Sequence, residues 1–183
     1  MTVMTTTIHD DRVWTRDERD ALPDDRKRYE LLDGALIVSA APRPIHQMVV
    51  LGLYRQLYPA CPPHLITLTA PLDIDLAQDS VLEPDLLVAR RDQFDDRGLP
   101  GRPELAVEVL SPSSRRIDRV LKRERYERAG TPAYWIVDPQ GPSLLACELR
   151  DGRYDEVAHV GPGETWHATI PFPVTLTPGI WAD

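Results

Sequence analysis

The chain has 183 residues, of which 42% are hydrophobic and 27% charged, a composition typical of a soluble globular protein with one domain over residues 1–183. Its formal net charge of −8 argues against a protein that coats nucleic acid through bulk electrostatics. No apolar run approaches the roughly 20 residues needed to cross a bilayer. Because there is no signal-peptide pattern and the two cysteines lack metal-binding spacing, we expect a reduced, cytoplasmic protein with no membrane partner.

The first part of the chain predicts a hairpin followed by a helix. Residues 1–25 are polar without clear periodicity, and we expect a short helix or a flexible arm there. Asp33-Gly34 separates the apolar-rich runs Arg28–Leu32 and Ala35–Ser39, which predicts a hairpin with a type I′ turn, because both central residues need positive φ. Apolar residues then recur at helical spacing over 44–58, which predicts an amphipathic helix.

Two β-rich segments follow the predicted helix. Residues 64–69 predict one strand. Apolar and polar residues alternate over 72–76, which predicts a second strand with Asp73 and Asp75 on its polar face.

Three nearly continuous apolar runs predict the centre of a sheet, at residues 85–89, 105–110 and 133–137. A helix predicted over 116–129, ended by Gly130, connects the last two. A strand–helix–strand unit of this kind is expected to be parallel and right-handed.

The C-terminal part of the chain predicts additional β-hairpins. Residues 144–149, 154–160 and 166–170 are β-rich. Turn sequences at 151–152 and 161–163 separate them, as expected for hairpins.

Glu108 is the most informative single residue. All its neighbours in the run Leu105–Leu110 are apolar, so its carboxylate is expected to be buried in a central strand. Burying a carboxylate without a partner costs several kcal/mol. Glu108 therefore requires a metal ion or a buried salt bridge to one of the many arginines, and both alternatives stay open because perturbed carboxylates cluster at functional sites.

Asp85 is a candidate metal ligand because its strand can lie next to that of Glu108. It follows Pro84 at the start of an apolar run, where a strand-entry turn is the simplest explanation. The segment between Asp85 and Glu108 is nevertheless long enough for their strands to lie side by side. Two close carboxylates repel each other unless a divalent cation neutralises them, and carboxylate oxygens are the ligands that Mg²⁺ and Mn²⁺ prefer.

Lys122 lies on the predicted helix after the second strand. It shares a face with Asp118 and Tyr126 at i, i+4, i+8 spacing. A lysine turned towards the carboxylates could stabilise a transition state or orient the attacking water, whereas a surface ion pair with Asp118 is the alternative. The buried contacts of this helix are expected from its apolar residues, namely Ile117, Val120, Leu121 and Ala129.

Two further residues are weaker candidates. Glu30 precedes the Asp-Gly turn and is either an additional acidic ligand or an exposed strand glutamate. His46 lies in the first turn of the predicted helix, where a helix N-terminus attracts phosphate. A partly exposed histidine without a function is the alternative.

The predicted helix also carries a local concentration of positive charge. Seven basic and three acidic residues lie between Arg115 and Arg128, and Ser111–Ser114 precede them as a cap that could receive phosphate. A solvated helix has the same pattern, so the charge alone does not identify a binding surface. The candidate phosphate contacts are Arg115, Arg116, Arg119 and Arg123.

Taken in order, these residues resemble a known family. Asp85 after Pro84, Glu108 among apolar neighbours and a helical lysine are similar to the PD-(D/E)XK nuclease superfamily. More closely, residues 29–138 resemble the Uma-type restriction endonucleases. The resemblance implies an α/β, restriction-endonuclease-like fold, with a mixed sheet flanked by helices.

The resemblance also implies a metal site for Mg²⁺ or Mn²⁺. Its ligands would be Asp85, Glu108 and the main-chain carbonyl of Val109, with Glu30, His46, Asp118 and Tyr126 as possible accessory residues. One departure stands out: the superfamily's lysine normally follows the second acid by two positions, and that position is Leu110 here. The family resemblance suggests that Lys122 takes over, which requires its helix face to point inwards.

The sequence thus predicts a metal-dependent endonuclease that hydrolyses phosphodiester bonds of DNA, with RNA as the alternative substrate. We expect a homodimer, because cutting two strands favours two sites. The alternative is a catalytically silent nucleic-acid-binding or protein-interaction module that retains the fold. An arginine bridging Glu108 would favour this alternative, and Lys122 pointing at the carboxylates would favour the enzyme.

Overall fold

The computed structural model describes residues 6–8, 12–23, 25, 27–39 and 41–183. Within these residues, no helix is both long and apolar enough to cross a membrane. Of the two alternatives for residues 1–25, a short helix is present at Arg16–Asp20, capped by Thr15 and Glu18. Residues 1–5, 9–11 and 24 of that segment lie outside the described residues.

The helices of the described residues are few. They are α1 (Arg16–Asp20), α2 (Pro44–Leu57) and α3 (Arg123–Arg128). A π-helical segment, Ile117–Lys122, leads directly into α3. Short 3₁₀ turns are found at Tyr58–Ala60, Arg91–Gln93 and Pro178–Ile180.

The strands follow in chain order. The first seven are β1 (Thr6–Ile8), β2 (Arg28–Leu32), β3 (Ala35–Ser39), β4 (Leu65–Thr69), β5 (Ile74–Ala77), β6 (Ser80–Leu82) and β7 (Leu86–Arg90). The remainder are β8 (Leu99–Pro100), β9 (Leu105–Val109), β10 (Ala133–Asp138), β11 (Ser143–Arg150), β12 (Arg153–Val160), β13 (Trp166–Ala168) and β14 (Val174–Leu176).

A mixed six-stranded sheet forms the centre of the fold, in the order β12-β11-β10-β9-β7-β4. The pair β9–β10 is parallel, as predicted for the strand–helix–strand unit, and the other neighbours are antiparallel. The predicted hairpin β11–β12 extends this sheet at one edge, and β13–β14 form a separate two-stranded ribbon. The predicted α/β fold with C-terminal hairpins is therefore confirmed.

A second sheet, in the order β1-β3-β2-β6-β5-β8, contains the predicted N-terminal hairpin. Asp33 has φ 49° and Gly34 φ 80°, as the type I′ turn requires. The strand predicted at 72–76 instead begins at Ile74. Asp73 lies just before its start, and its carboxylate accepts two hydrogen bonds from Arg19 of α1, at 2.5 and 2.7 Å.

The alternation of side chains along the central strands builds two apolar layers. One face packs against α2 and the C-terminal turn, through residues that include Val49, Leu53, Leu86, Val88, Val107 and Trp181. The opposite face packs against the second sheet and α3, through residues that include Ile37, Ile74, Leu87, Ala106, Leu110 and Tyr126.

The helix after β9 buries its polar face, although the sequence predicts that its apolar face is buried. Val120 and Leu121 are 45% and 46% exposed, whereas Asp118, Lys122 and Tyr126 are buried. The predicted burial of Val120 and Leu121 is therefore wrong. The physical reason is ionic: the polar face finds charged partners on both sheets beneath it, and the wider π-helical turn accompanies this arrangement, as such turns often do at functional sites.

Gly52 allows α2 to pack closely on the C-terminal turn. A Cβ at this position would lie 2.2 Å from the carbonyl oxygen and 2.4 Å from the Cα of Trp181, both main-chain atoms that cannot move aside. We expect Gly52→Ala to lower the free energy of unfolding by at least about 1–3 kcal/mol, although alanine favours helix. Urea unfolding measures this, with Gln47→Ala on the exposed face of α2 as the control. A Gly52→Ala protein as stable as the wild type would contradict this packing.

Candidate active site

The register of the central sheet brings Asp85 and Glu108 together. Leu86 of β7 pairs with Val107 of β9, so continuing the antiparallel register by one residue places Asp85 opposite Glu108. Both residues are buried, 6% and 2% exposed. By the alternation of each strand, they lie on the face covered by the second sheet and α3.

Asp85 is held from two sides. Its Oδ2 accepts a hydrogen bond from the Val109 main-chain N–H at 2.8 Å and lies 3.1 Å from Nε2 of His46, in the first turn of α2. Its Oδ1 accepts a hydrogen bond from Arg28 at 3.2 Å. Burial opposes ionisation, but the His46 hydrogen bond, the Arg28 charge and the Val109 N–H hold the pKa of Asp85 well below its usual range. Asp85 is therefore an oriented carboxylate anion.

Lys122 points inwards, as the site requires. Its Nζ donates hydrogen bonds to Glu30 at 2.8 Å and to Glu108 at 3.0 Å, and lies 3.8 Å from Asp118 Oδ1. Burial lowers the pKa of Lys122, but the surrounding carboxylates Glu108, Glu30 and Asp118 raise it above its ordinary value. The side chain is thus a fixed ammonium ion that contacts both sheets.

Glu30 is buried at 2% exposure, so the alternative of an exposed strand glutamate is wrong. The same oxygen that accepts the Lys122 bond also accepts the Glu83 main-chain N–H at 2.8 Å. Despite its burial, the charges of Arg28 and Lys122 lower the pKa of Glu30. Glu30 therefore carries the negative charge that fixes Lys122.

Arg28 is a site residue that the sequence did not identify. It lies two positions before Glu30 in β2, so the strand period puts both side chains on one face. Its guanidinium lies 3.2 Å from Asp85 and 3.4 Å from both Glu30 and Glu83. The signal available in the sequence was this i, i+2 spacing, which is too common to identify a site.

Acidic side chains outnumber basic ones in the site, even when Arg19 is counted, which lies 3.4 Å from Glu83. Five buried carboxylates converge on Arg28 and Lys122, namely Glu30, Glu83, Asp85, Glu108 and Asp118. Burial, together with repulsion from neighbouring carboxylates, raises the pKa of Glu83 and of Asp118 to about 6. Burial first, and then Asp118, Asp85 and Glu30, raise the pKa of Glu108 well above its usual value despite Lys122. A divalent cation would relieve the repulsion between these carboxylates.

The donor set fits a hard metal ion of the two-carboxylate kind. Among the described residues, no group of three or more His, Cys, Asp or Glu side chains has the geometry of a metal site. Asp85 and Glu108 would supply two hard oxygen ligands to such an ion, and Val109 lines the same cavity. Mg²⁺ commonly binds through one or two carboxylates and keeps several waters, so it does not need a full protein cage.

A cavity of about 380 Å³ opens over this cluster. Its floor contains Asp85, Glu108 and Lys122, and its walls include Arg43 and the segment Ser111–Ser114. The Ser111 and Ser114 side chains cap each other's main-chain N–H groups, at 3.1 and 3.2 Å, so this turn is fixed by its own hydrogen bonds. The cavity is large enough for part of a substrate next to the carboxylates.

The four predicted phosphate contacts do not line this cavity. Arg115 donates to Asp138 at 2.8 Å, and Arg123 donates to the Tyr154 carbonyl at 3.3 Å. Arg116 and Arg119 are exposed on the outer face of the helix. Arg28 and Arg43 are the arginines that the fold brings to the cavity instead.

Tyr126 supports the site from below. It is fully buried, its ring centroid lies 5.2 Å from that of Tyr134, and it does not line the cavity. Its hydroxyl has no hydrogen-bond partner in the part of the chain that the structure describes. Burial, reinforced by the charges of Glu108 and Glu30, raises its pKa well above the ordinary value. The neutral ring packs beneath the ionic cluster.

Comparisons with known proteins identify the family and the fold of this chain. A search of curated proteins finds no match. The crystal structure of a protein from Anabaena variabilis, described as "a putative nuclease belonging to DUF820", superposes with a TM-score of 0.69 and 17% identity, over 85% of this chain and 89% of that one. This similarity shows the fold. The model of the family Uma2, described as "Putative restriction endonuclease", matches residues 16–179. The chain belongs to this family, as its motifs predicted.

Proposed function

We propose that this protein is a Mg²⁺- or Mn²⁺-dependent endonuclease that hydrolyses phosphodiester bonds of DNA. One observation carries the proposal: the buried Lys122 ammonium contacts Glu108, next to Asp85, at the floor of an open cavity. A carboxylate pair with a lysine beside it is the chemistry of metal-assisted phosphodiester hydrolysis. Family membership and fold add support for a nuclease.

Each residue has a defined part in this proposal. Asp85, Glu108 and the Val109 carbonyl would hold the metal, which when bound activates water and neutralises charge on the phosphate. His46 and the Val109 N–H orient Asp85 through Oδ2. Lys122 places a positive charge beside Glu108, where it can stabilise the negative charge that develops on the phosphate.

The substrate is proposed to be DNA, with RNA as the second candidate. Arg43 and the Ser111–Ser114 turn line the cavity and are suited to contact phosphates. A homodimer would place two such sites on the two strands of a duplex. Phosphate contacts outside the cavity would then come from the helix after β9, through Arg115, Arg116, Arg119 and Arg123. If three or more of them neutralise phosphates, the affinity for DNA should fall steeply as the salt concentration rises.

The alternative of a silent module has less support. An arginine bridging Glu108 would favour it, but the cation that bonds to Glu108 among the described residues is Lys122. Arg28 contacts Asp85 instead. The excess of buried acid is unfavourable for a purely structural cluster, because it destabilises the fold when no cation is bound.

Replacing either proposed ligand tests the activity. We expect Asp85→Asn and Glu108→Gln each to lower the rate of Mn²⁺-dependent cleavage at least about a hundredfold, because an amide oxygen is a neutral and weaker ligand for the metal. Cleavage of supercoiled plasmid, single-stranded DNA and single-stranded RNA measures this. Asp92→Asn replaces an exposed acid in the 3₁₀ turn that follows β7; it is the matched control and should keep the wild-type rate. Cleavage by Asp85→Asn and Glu108→Gln at that rate would contradict the assignment.

Metal binding should also raise the thermal stability of the protein. At Mn²⁺ concentrations one hundred times the Kd, a native-state ligand adds about 2.7 kcal/mol, which raises the Tm by roughly 5–10 °C for a chain of this length. We expect this rise for the wild type and its loss on chelation with EDTA. The two ligand variants should show little of it, and an equal rise in Glu108→Gln would place the ion elsewhere.

The role proposed for Lys122 can be distinguished experimentally from that of the metal ligands. Lys122→Gln should abolish cleavage but retain Mn²⁺ binding, because it leaves both carboxylates in place. Without metal, it should be destabilised by about 3–5 kcal/mol, since it leaves buried carboxylates uncompensated. Calorimetric Mn²⁺ titration and urea unfolding measure the two effects. Wild-type cleavage by Lys122→Gln would remove the lysine from the mechanism.

A further inference from the structure

The two oxygens of Asp85 have different partners. Oδ2 accepts the Val109 N–H at 2.8 Å and lies 3.1 Å from His46 Nε2. Oδ1 has one partner among the described residues, the Arg28 guanidinium at 3.2 Å. The bonds to Oδ2 fix the plane of the carboxylate, so Oδ1 is the oxygen left to bind a metal. Arg28 lies on that oxygen.

The contacts of Arg28 are long compared with those of Lys122. Arg28 lies 3.2 Å from Asp85 and 3.4 Å from Glu30 and Glu83, whereas Lys122 bonds at 2.8 and 3.0 Å. Charge-assisted N–H···O bonds are normally about 2.7–2.9 Å. Lys122 is 3% exposed, but the Arg28 side chain is 25% exposed and lines the cavity. Arg28 is therefore the cation with the longer contacts, and it borders a cavity into which it can move.

We propose that Arg28 is a built-in competitor for the metal: it neutralises Asp85 in the metal-free protein and must leave Oδ1 when the metal binds. This inference rests on the proposed function, since it assumes that Asp85 is a metal ligand. The two cations cannot share Oδ1 at close range, because they would repel each other. Glu83 and Glu30 remain near the guanidinium, so its charge keeps partners after it moves.

A Mn²⁺ titration of Arg28→Gln tests the competition. We expect the variant to bind Mn²⁺ about tenfold more tightly than the wild type, within the usual range of coupling between two sites. Isothermal titration calorimetry, or the loss of the free Mn²⁺ signal in electron paramagnetic resonance, measures the Kd without any cleavage. A purely structural role would have the opposite effect, because a disordered site binds metal less tightly.

Two further variants distinguish the effect of the direct Arg28–Asp85 contact on metal affinity from a long-range effect of positive charge. Arg43→Gln removes a positive charge from the same cavity, and Arg43 has no hydrogen bond or ion pair to the acidic cluster within the described residues. We expect a change in Kd of less than twofold for this variant. Arg28→Lys keeps the charge but cannot reach three carboxylates at once, so its Kd should fall between those of the wild type and Arg28→Gln. It also preserves the test if Arg28→Gln does not fold.

The outcomes are distinct. If the wild type binds Mn²⁺ and neither Arg28 variant binds more tightly, the competition is refuted and the proposed function stands. An equal gain in Arg43→Gln would also refute it, since the effect would then be long-range. Binding by the Arg28 variants alone would support it in its strongest form. Binding by none of the folded proteins would overturn both the competition and the proposed metal dependence.

Discussion

The buried ion pairs of Lys122 are the interaction on which the site depends. One ammonium group bonds to Glu30 on β2 of the N-terminal sheet and to Glu108 on β9 of the central sheet, and its own residue belongs to the helical segment that follows β9. Burying such charges is unfavourable unless each finds partners with good geometry. The arrangement therefore fixes how the hairpin, the central sheet and the helix lie relative to one another. It also explains why this helix leaves Val120 and Leu121 exposed.

The same cluster connects stability to function. Lys122 and Arg28 do not balance the five acidic side chains around them, which is one reason why we propose that the site takes up a divalent cation. Its two cations differ in kind: Lys122 is enclosed by short bonds, whereas Arg28 makes long contacts at the edge of the cavity. In this account the first is a permanent part of the site and the second gives way to the metal. Metal binding would then reduce the repulsion between the carboxylates, which would stabilise the fold and complete the active site at the same time.

Much of this could be predicted from the sequence, because strand alternation is a strong local signal. A glutamate among apolar neighbours had to be buried, and the Asp-Gly pair had to form a tight turn. The inward face of Lys122 could not be derived from hydrophobic periodicity, which favours burying Val120 and Leu121. It depends on partners distant in sequence, above all Glu30, 92 positions away. Arg28 and the short strands β6 and β8 were missed for a similar reason: only their tertiary contacts distinguish them.

The most direct test is a crystal structure of the protein with Mn²⁺, using anomalous diffraction to locate the ion. The account predicts a peak bonded to Asp85 Oδ1 and Glu108, at about 2.0–2.3 Å as expected for a small hard cation, with the Arg28 guanidinium moved off Asp85. It also predicts that Lys122 keeps its bond to Glu30. A peak at another place, or a metal on Asp85 with Arg28 still bonded to Oδ1, would contradict it.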